Sequence, residues 1–183
     1  MRKVVLFMLV SVDGYFEGPN HDITWHNVDA EFNDFAIEQI DQMDTLLFGR
    51  VTYELMASYW PTAAAKSDDP IVAKKMNTTP KIVFSKTLER ADWENTRLSK
   101  DAGETIRQLK GQPGRDMAIF GSNNLVVSLA QEGLVDEFRI MVNPVAIGAG
   151  TSLFAGIKEK LDLKLVDTKN FKNGNVLIYY QPK

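Results

Sequence analysis

Three apolar stretches of this chain each run into a short string of small, hydroxylated, amide or basic residues. Leu46-Leu47-Phe48 leads into Gly49-Arg50-Val51-Thr52, Ile82-Val83-Phe84 into Ser85-Lys86, and Ala118-Ile119-Phe120 into Gly121-Ser122-Asn123-Asn124. Glycine lets a backbone approach a phosphate, hydroxyls and amides donate to it, and Arg50 and Lys86 add charge-assisted bonds. Singly, each glycine is equally an ordinary turn, and each cation equally a solvated surface charge worth about 0–1 kcal/mol. Together they point to a phosphate-bearing cofactor. Neither of the common glycine fingerprints holds it. Gly148-x-Gly150 lacks a third glycine and a following helix, and no Walker A string occurs.

The elements that must position these residues are legible in outline. Residues 4–10 are apolar on both faces, as in a central strand covered on both sides. They resemble a secretion signal only until Asp13-Gly14, where no small-residue cleavage site follows. Phe32, Ala36, Ile40 and Met43 recur at helical spacing after Asp29. Further strands are expected over 45–48, 81–84, 117–120 and 138–142. Helices are expected over 52–58 with Thr52 as cap, over 70–76 behind Asp69-Pro70, and over about 100–110 before Gly111. Another carries Leu125, Val126 and Leu129 and stops at Gly133. Asn173-Gly174 joins two final strands near 163–169 and 175–181. This order is that of an α/β domain spanning 1–183, with a mostly parallel sheet, helices on both faces and an antiparallel C-terminal hairpin.

Composition narrows the partners. The 183 residues are 44% hydrophobic and 25% charged, with net charge −3, enough for a core and no footprint for nucleic acid. No apolar run reaches the ~18 residues of a membrane span. The absence of cysteine removes disulfides, a thiol nucleophile and a Cys-ligated zinc, and agrees with a cytoplasmic location. His21, Asp22 and His26 do not share a helix face, so no metal site is expected.

The ordered set of motifs resembles the dihydrofolate reductase-like superfamily. Gly49-Arg50-x-Thr52-Tyr53-Glu54 after an apolar strand is similar to that family's cofactor motif. It is followed in family order by Ser85-Lys86, Ile119-Phe120-Gly121-Ser122, Leu134-Val135-Asp136-Glu137-Phe138 and Gly148-x-Gly150-x-x-Leu153-Phe154. Val12-Asp13-Gly14 is closer to the reductase domain of the riboflavin-pathway bifunctional deaminase-reductase. The deaminase half, which needs P-C-x-x-C, is absent.

The resemblance implies a three-layer fold with NADPH across the strand ends. It places Gly49, Arg50 and Thr52 on the phosphates, Arg50, Ser85 and Lys86 at the adenosine 2′-phosphate, and Gly121, Ser122, Asn123 and Asn124 around the pyrophosphate. It also implies a cis peptide between residues 121 and 122, where Ser122 replaces the family's usual second glycine. Asp29 or Glu31 stands where dihydrofolate reductases keep a proton-delivering carboxylate; Asp29 is equally a helix cap and Glu31 a dipole partner. Asp13 and Trp25 are the candidate substrate contacts. The implied activity is reduction of a small heterocyclic or aminosugar substrate, most like 5-amino-6-(5-phosphoribosylamino)uracil. Dihydrofolate reduction and nucleotide binding without turnover are the alternatives. The apolar string Val176-Leu177-Ile178-Tyr179-Tyr180, which would leave an unprotected edge or face, suggests a homodimer.

Overall fold

A computed structural model describes residues 1–183. Its strands and helices follow the chain as β1 (Val4–Ser11), β2 (Tyr15–Glu17), α1 (Ala30–Gln42), β3 (Met43–Gly49) and α2 (Arg50–Tyr59). Then come α3 (Ala63–Asp68), α4 (Pro70–Thr78), β4 (Lys81–Phe84), β5 (Thr96–Ser99), α5 (Ala102–Lys110) and β6 (Asp116–Ile119). The chain closes with α6 (Asn123–Gln131), β7 (Glu137–Asn143), β8 (Thr151–Ser152), β9 (Leu163–Asn170) and β10 (Val176–Pro182).

Eight strands form one sheet in the order β5-β4-β3-β6-β1-β7-β10-β9. Neighbours from β5 to β7 are parallel; β10 runs antiparallel to both β7 and β9. The central strand β1 is apolar throughout because it is covered twice. Val4, Leu6, Met8 and Val10 join the core under α5 and α6, with Ile106, Leu125, Val126 and Leu129. Val5 packs on the opposite face with Ile40 of α1, Tyr53 of α2 and Val72 and Met76 of α4. Phe7 shares that face with Phe35, Phe171 and Leu177.

The structure also holds elements the sequence did not announce. The edge strand β5 is short and polar, Thr96-Arg97-Leu98-Ser99, as sheet edges are when they resist further pairing. Strands β2 and β8 form a two-stranded sheet of their own. Helix α2 begins at Arg50 behind Gly49, not at a Thr52 cap, and α5 begins at Ala102 behind Asp101. The Gly121–Ser122 peptide is cis, as the resemblance implied.

One buried cation organises the far end of the sheet. Lys81 is 1% exposed, and its Nζ donates to the carbonyls of Met76, Asn77 and Thr79 at 2.8, 3.0 and 2.8 Å, closing the C-terminus of α4. The ammonium lies 4.6 Å from the Trp93 ring centroid, and Trp93 in turn donates to Asn77 Oδ1. Burial pulls the amine down from 10.5 to about 8, opposed by Glu94, so it is charged at neutral pH. Lys81→Met leaves those carbonyls without their donor. The expected loss is about 2–4 kcal/mol, read as a fall in Tm on the order of 10 °C for a chain of this size. A Tm unchanged in differential scanning calorimetry would refute this role.

Candidate active site

A cavity of about 530 Å³ opens at the C-terminal ends of β3, β4, β5 and β6. Its walls are the starts of α2 (Gly49, Arg50, Val51) and α5 (Lys100, Asp101, Ala102, Gly103), the end of β4 (Phe84, Ser85, Lys86) and one side of α6 (Ser122, Asn124, Leu125, Ser128), with Glu132, paired to Arg107, beyond its end. In open α/β sheets this is the end at which ligands bind.

Two strand ends meet at the cavity with no room for side chains. Gly49 N donates to Gly121 O at 3.2 Å. A Cβ at Gly49 would lie 2.3 Å from Ser122 Oγ; one at Gly121, where φ is +113°, would lie 2.7 Å from Thr52 Oγ1. The residues expected around a phosphate are thereby gathered, with Thr52 packed under Gly121.

Helix caps distinguish this place from the rest of the molecule. Asp29, Thr62, Asp69 and Asp101 each accept a backbone N–H in the first turn of α1, α3, α4 and α5. Helices α2 and α6 start at Gly49 and Ser122 with no side-chain cap. Their first-turn N–H groups and positive dipole ends are therefore available to an anion.

Cations surround the same space. Arg50 Nη1 bonds Glu54 at 3.1 and 2.8 Å one turn along α2, an exposed pair worth about 0–1 kcal/mol that a phosphate can displace. Lys86 and Lys100 are exposed and form no ion pair. Lys100 escaped the sequence reading because the strand that delivers it, β5, has no apolar signature. Ser85 Oγ accepts from Thr87 N and Leu88 N at 3.2 and 2.9 Å, shaping the turn below Lys86. Asn124 faces the cavity, whereas Asn123 Nδ2 donates outward to Ala155 O at 3.3 Å.

The expected substrate-side carboxylates are all engaged elsewhere. Asp29 accepts from Phe32 N at 2.9 Å as the cap of α1, and Glu31 accepts from Lys172 N at 3.0 Å. Asp13 accepts from Ile147 N and Gly148 N at 3.2 and 2.7 Å, tying the β1–β2 turn to the loop after β7. The Ser11 hydroxyl, then the Gly148 N–H, hold its carboxyl below the usual range. Trp25 donates from its indole to Asp22 O at 3.1 Å, and its ring stands edge-on to His26 with centroids 4.5 Å apart. His21 pairs with Glu17. The Nε2 of His26 is shielded from solvent and has no hydrogen-bond partner.

The comparisons with known proteins agree with this geometry. The model of the RibD C-terminal domain matches residues 2–177. The chain belongs to the RibD C-terminal domain family. A relative from Bacillus subtilis (strain 168), the uncharacterized protein YyaP, is 34% identical over 185 residues, covering 98% of this chain and 94% of its own. Among solved structures, the Thermotoga maritima diaminohydroxyphosphoribosylaminopyrimidine deaminase/5-amino-6-(5-phosphoribosylamino)uracil reductase superposes with TM-score 0.71 at 16% identity. That match covers all of this chain and 57% of that one. Dihydrofolate reductase from Enterococcus faecalis, complexed with NADP(H) and RAB-propyl, superposes with TM-score 0.67 at 15% identity over 99% of this chain and 96% of its own. The fold of this RibD C-terminal domain is dihydrofolate reductase-like. No helix in it is long and apolar enough to cross a membrane.

Burial pushes the His26 imidazole below its ordinary 6.5, with the Phe16 backbone and Asp22 opposing. As pH falls, the unfolded chain takes up this proton before the folded one. The contribution is therefore fully present above pH 6.5 and declines as pH drops toward the lowered folded value. Urea midpoints measured between pH 5 and 8 should fall on the acid side in the wild type, with a shallower slope in His26→Gln. Identical slopes would remove His26 from this role.

Proposed function

We propose that this protein is an NADPH-dependent reductase whose substrate is a small ribosylamino-heterocycle of the 5-amino-6-(5-phosphoribosylamino)uracil type. The observation that carries the reading is the pair of uncapped helix starts, α2 and α6, opening on one cavity beside Arg50, Lys86 and Lys100. The glycine junction supports this reading by bringing the two helix starts together: a Cβ at Gly49 or Gly121 would collide with Ser122 or Thr52 and push them apart. Free N–H groups of α6 and the Ser122 hydroxyl would hold the pyrophosphate, with Asn124 at its side. Arg50, Ser85, Lys86 and Lys100 would take the 2′-phosphate end.

When bound, the cofactor supplies a hydride from its nicotinamide C4 to a polarised C=N or C=O carbon. The chain orients it and shields the reacting end from water. Engagement of Asp29 and Glu31 in main-chain bonds favours the ribosylaminopyrimidine over a pteridine, which wants a free carboxylate for protonation. The name of the Thermotoga maritima neighbour, a deaminase and 5-amino-6-(5-phosphoribosylamino)uracil reductase, supports that choice.

Fluorescence titration tests the cofactor assignment. NADPH should bind more tightly than NADH, and Arg50→Ala should weaken NADPH about tenfold, the loss of one charge-assisted bond of about 1.4 kcal/mol, with little change for NADH. Equal binding of both cofactors by the wild type would refute the pocket.

The functional unit we propose is a homodimer formed through the outer face of β9 and β10. Leu165 and Val166 are 54% and 51% exposed, half-buried Tyr180 stands opposite Leu165, and Val176 and Ile178 are half-buried farther along β10. Light scattering at micromolar concentration should give twice the chain mass, and Leu165→Glu should halve it. A monomeric wild type would end this part of the proposal.

A further inference from the structure

The ends of β1 and β7 lie side by side, Ser11 opposite Asn143, next to β6 and at the same end of the sheet as the cavity. Lys86, Lys100 and the start of α6 would hold the phosphates of a dinucleotide farther along the same edge. The segment joining β2 to α1 reaches the β7 end through Asn27, and its part after the short turn at Pro19–His21, residues 22–29, carries Trp25 and His26.

There the peptide groups of Asn27 are held by amide side chains rather than by a sheet or a helix. Asn143 Oδ1 accepts from Asn27 N at 2.8 Å, while Asn143 Nδ2 donates to Val10 O and Met141 O at 3.2 and 3.3 Å. From the β9–β10 turn, Asn175 Nδ2 donates to Asn27 O at 2.8 Å and Asn173 Nδ2 to the same carbonyl at 3.2 Å. Asn27 Nδ2 answers with bonds to Asn173 O and Asn175 Oδ1 at 2.8 and 3.3 Å. Asn143 and Asn175 are both 0% exposed. A buried, fully paired polar network has one low-energy arrangement, because shifting any member strands another.

We propose that Asn143 and Asn175 are positioning residues: by gripping the peptide N–H and C=O of Asn27 they set the Trp25–His26 wall against the reacting end of the cleft. The proposal rests on the reductase reading for its substrate. It assigns the C-terminal hairpin turn, more than 140 residues away in sequence, a part in substrate geometry and none in holding the cofactor phosphates. Asn fits the task because one neutral amide both donates and accepts, and so holds a peptide N–H or C=O without bringing a charge into the interior.

The test uses the full chain and two variants. Asn175→Asp keeps the acceptor for Asn27 Nδ2 and deletes the donor to Asn27 O. Asn173→Ala removes the other side-chain donor to the same carbonyl at a half-buried position and serves if the buried carboxylate prevents folding. Hydrogen exchange of the amides of residues 25–28 should accelerate at least about tenfold in either variant. The NADPH Kd should stay within about twofold, and the KM for 5-amino-6-(5-phosphoribosylamino)uracil should rise about tenfold or more. Unchanged exchange would overturn the proposal. So would a parallel loss of NADPH affinity and KM with a lowered Tm, the signature of a merely structural role. If wild-type protein binds no NADPH, the reductase reading falls on its own, and the exchange comparison alone decides whether the asparagines hold the loop.

Discussion

The contact between Gly49 and Gly121 sets the geometry on which the rest of the site depends. The ends of β3 and β6 approach until one backbone hydrogen bond joins them, and the neighbouring Ser122 and Thr52 side chains fill the space a Cβ would need. Helices α2 and α6 must therefore start beside each other, at a glycine and at a serine whose hydroxyl caps nothing. Four other helices satisfy their first turns with Asp or Thr. Leaving two starts open in one place concentrates unsatisfied donors and positive dipole ends there, which is a stored affinity for a phosphate group.

The sheet divides its two halves by kind of interaction. Around β3, β4 and β5 the cavity is ringed by exposed Arg50, Lys86 and Lys100, the two lysines unpaired and Arg50 held only by a surface pair with Glu54. Around β1 and β7 the contacts are neutral amides and main-chain bonds, buried and already paired. In the reductase we propose, mobile charge would suit the end that catches a polyanion from water, and a rigid neutral wall the end that holds a ring in register with a hydride donor. The candidate acids Asp13, Asp29 and Glu31 accept main-chain N–H groups that fasten loops and start a helix.

Much of the fold was legible from local pattern. The two-faced apolar runs, the Asp69-Pro70 start of α4, the glycine stops after α5 and α6 and the Asn173-Gly174 turn each depend on residues within a few positions of one another. The glycines at the ends of β3 and β6 were equally visible, because a backbone that must approach another backbone leaves few residue types to choose from. Elements without an apolar signature, such as β5 and the β2–β8 pair, were not, and Lys100 was hidden with the strand that carries it.

The sequence by itself determined the layered α/β architecture, the family and the short list of groups able to bind a phosphate. Only the tertiary structure decided which polar side chains elsewhere are engaged. Asp13 is occupied by an amide 135 residues away, Glu31 by one 141 residues away, and Asn27 by side chains 116 and 148 residues away. Whether a side chain is a ligand or a fastener depends on which donors reach it first, and those donors come together only when distant strands take their places in the sheet.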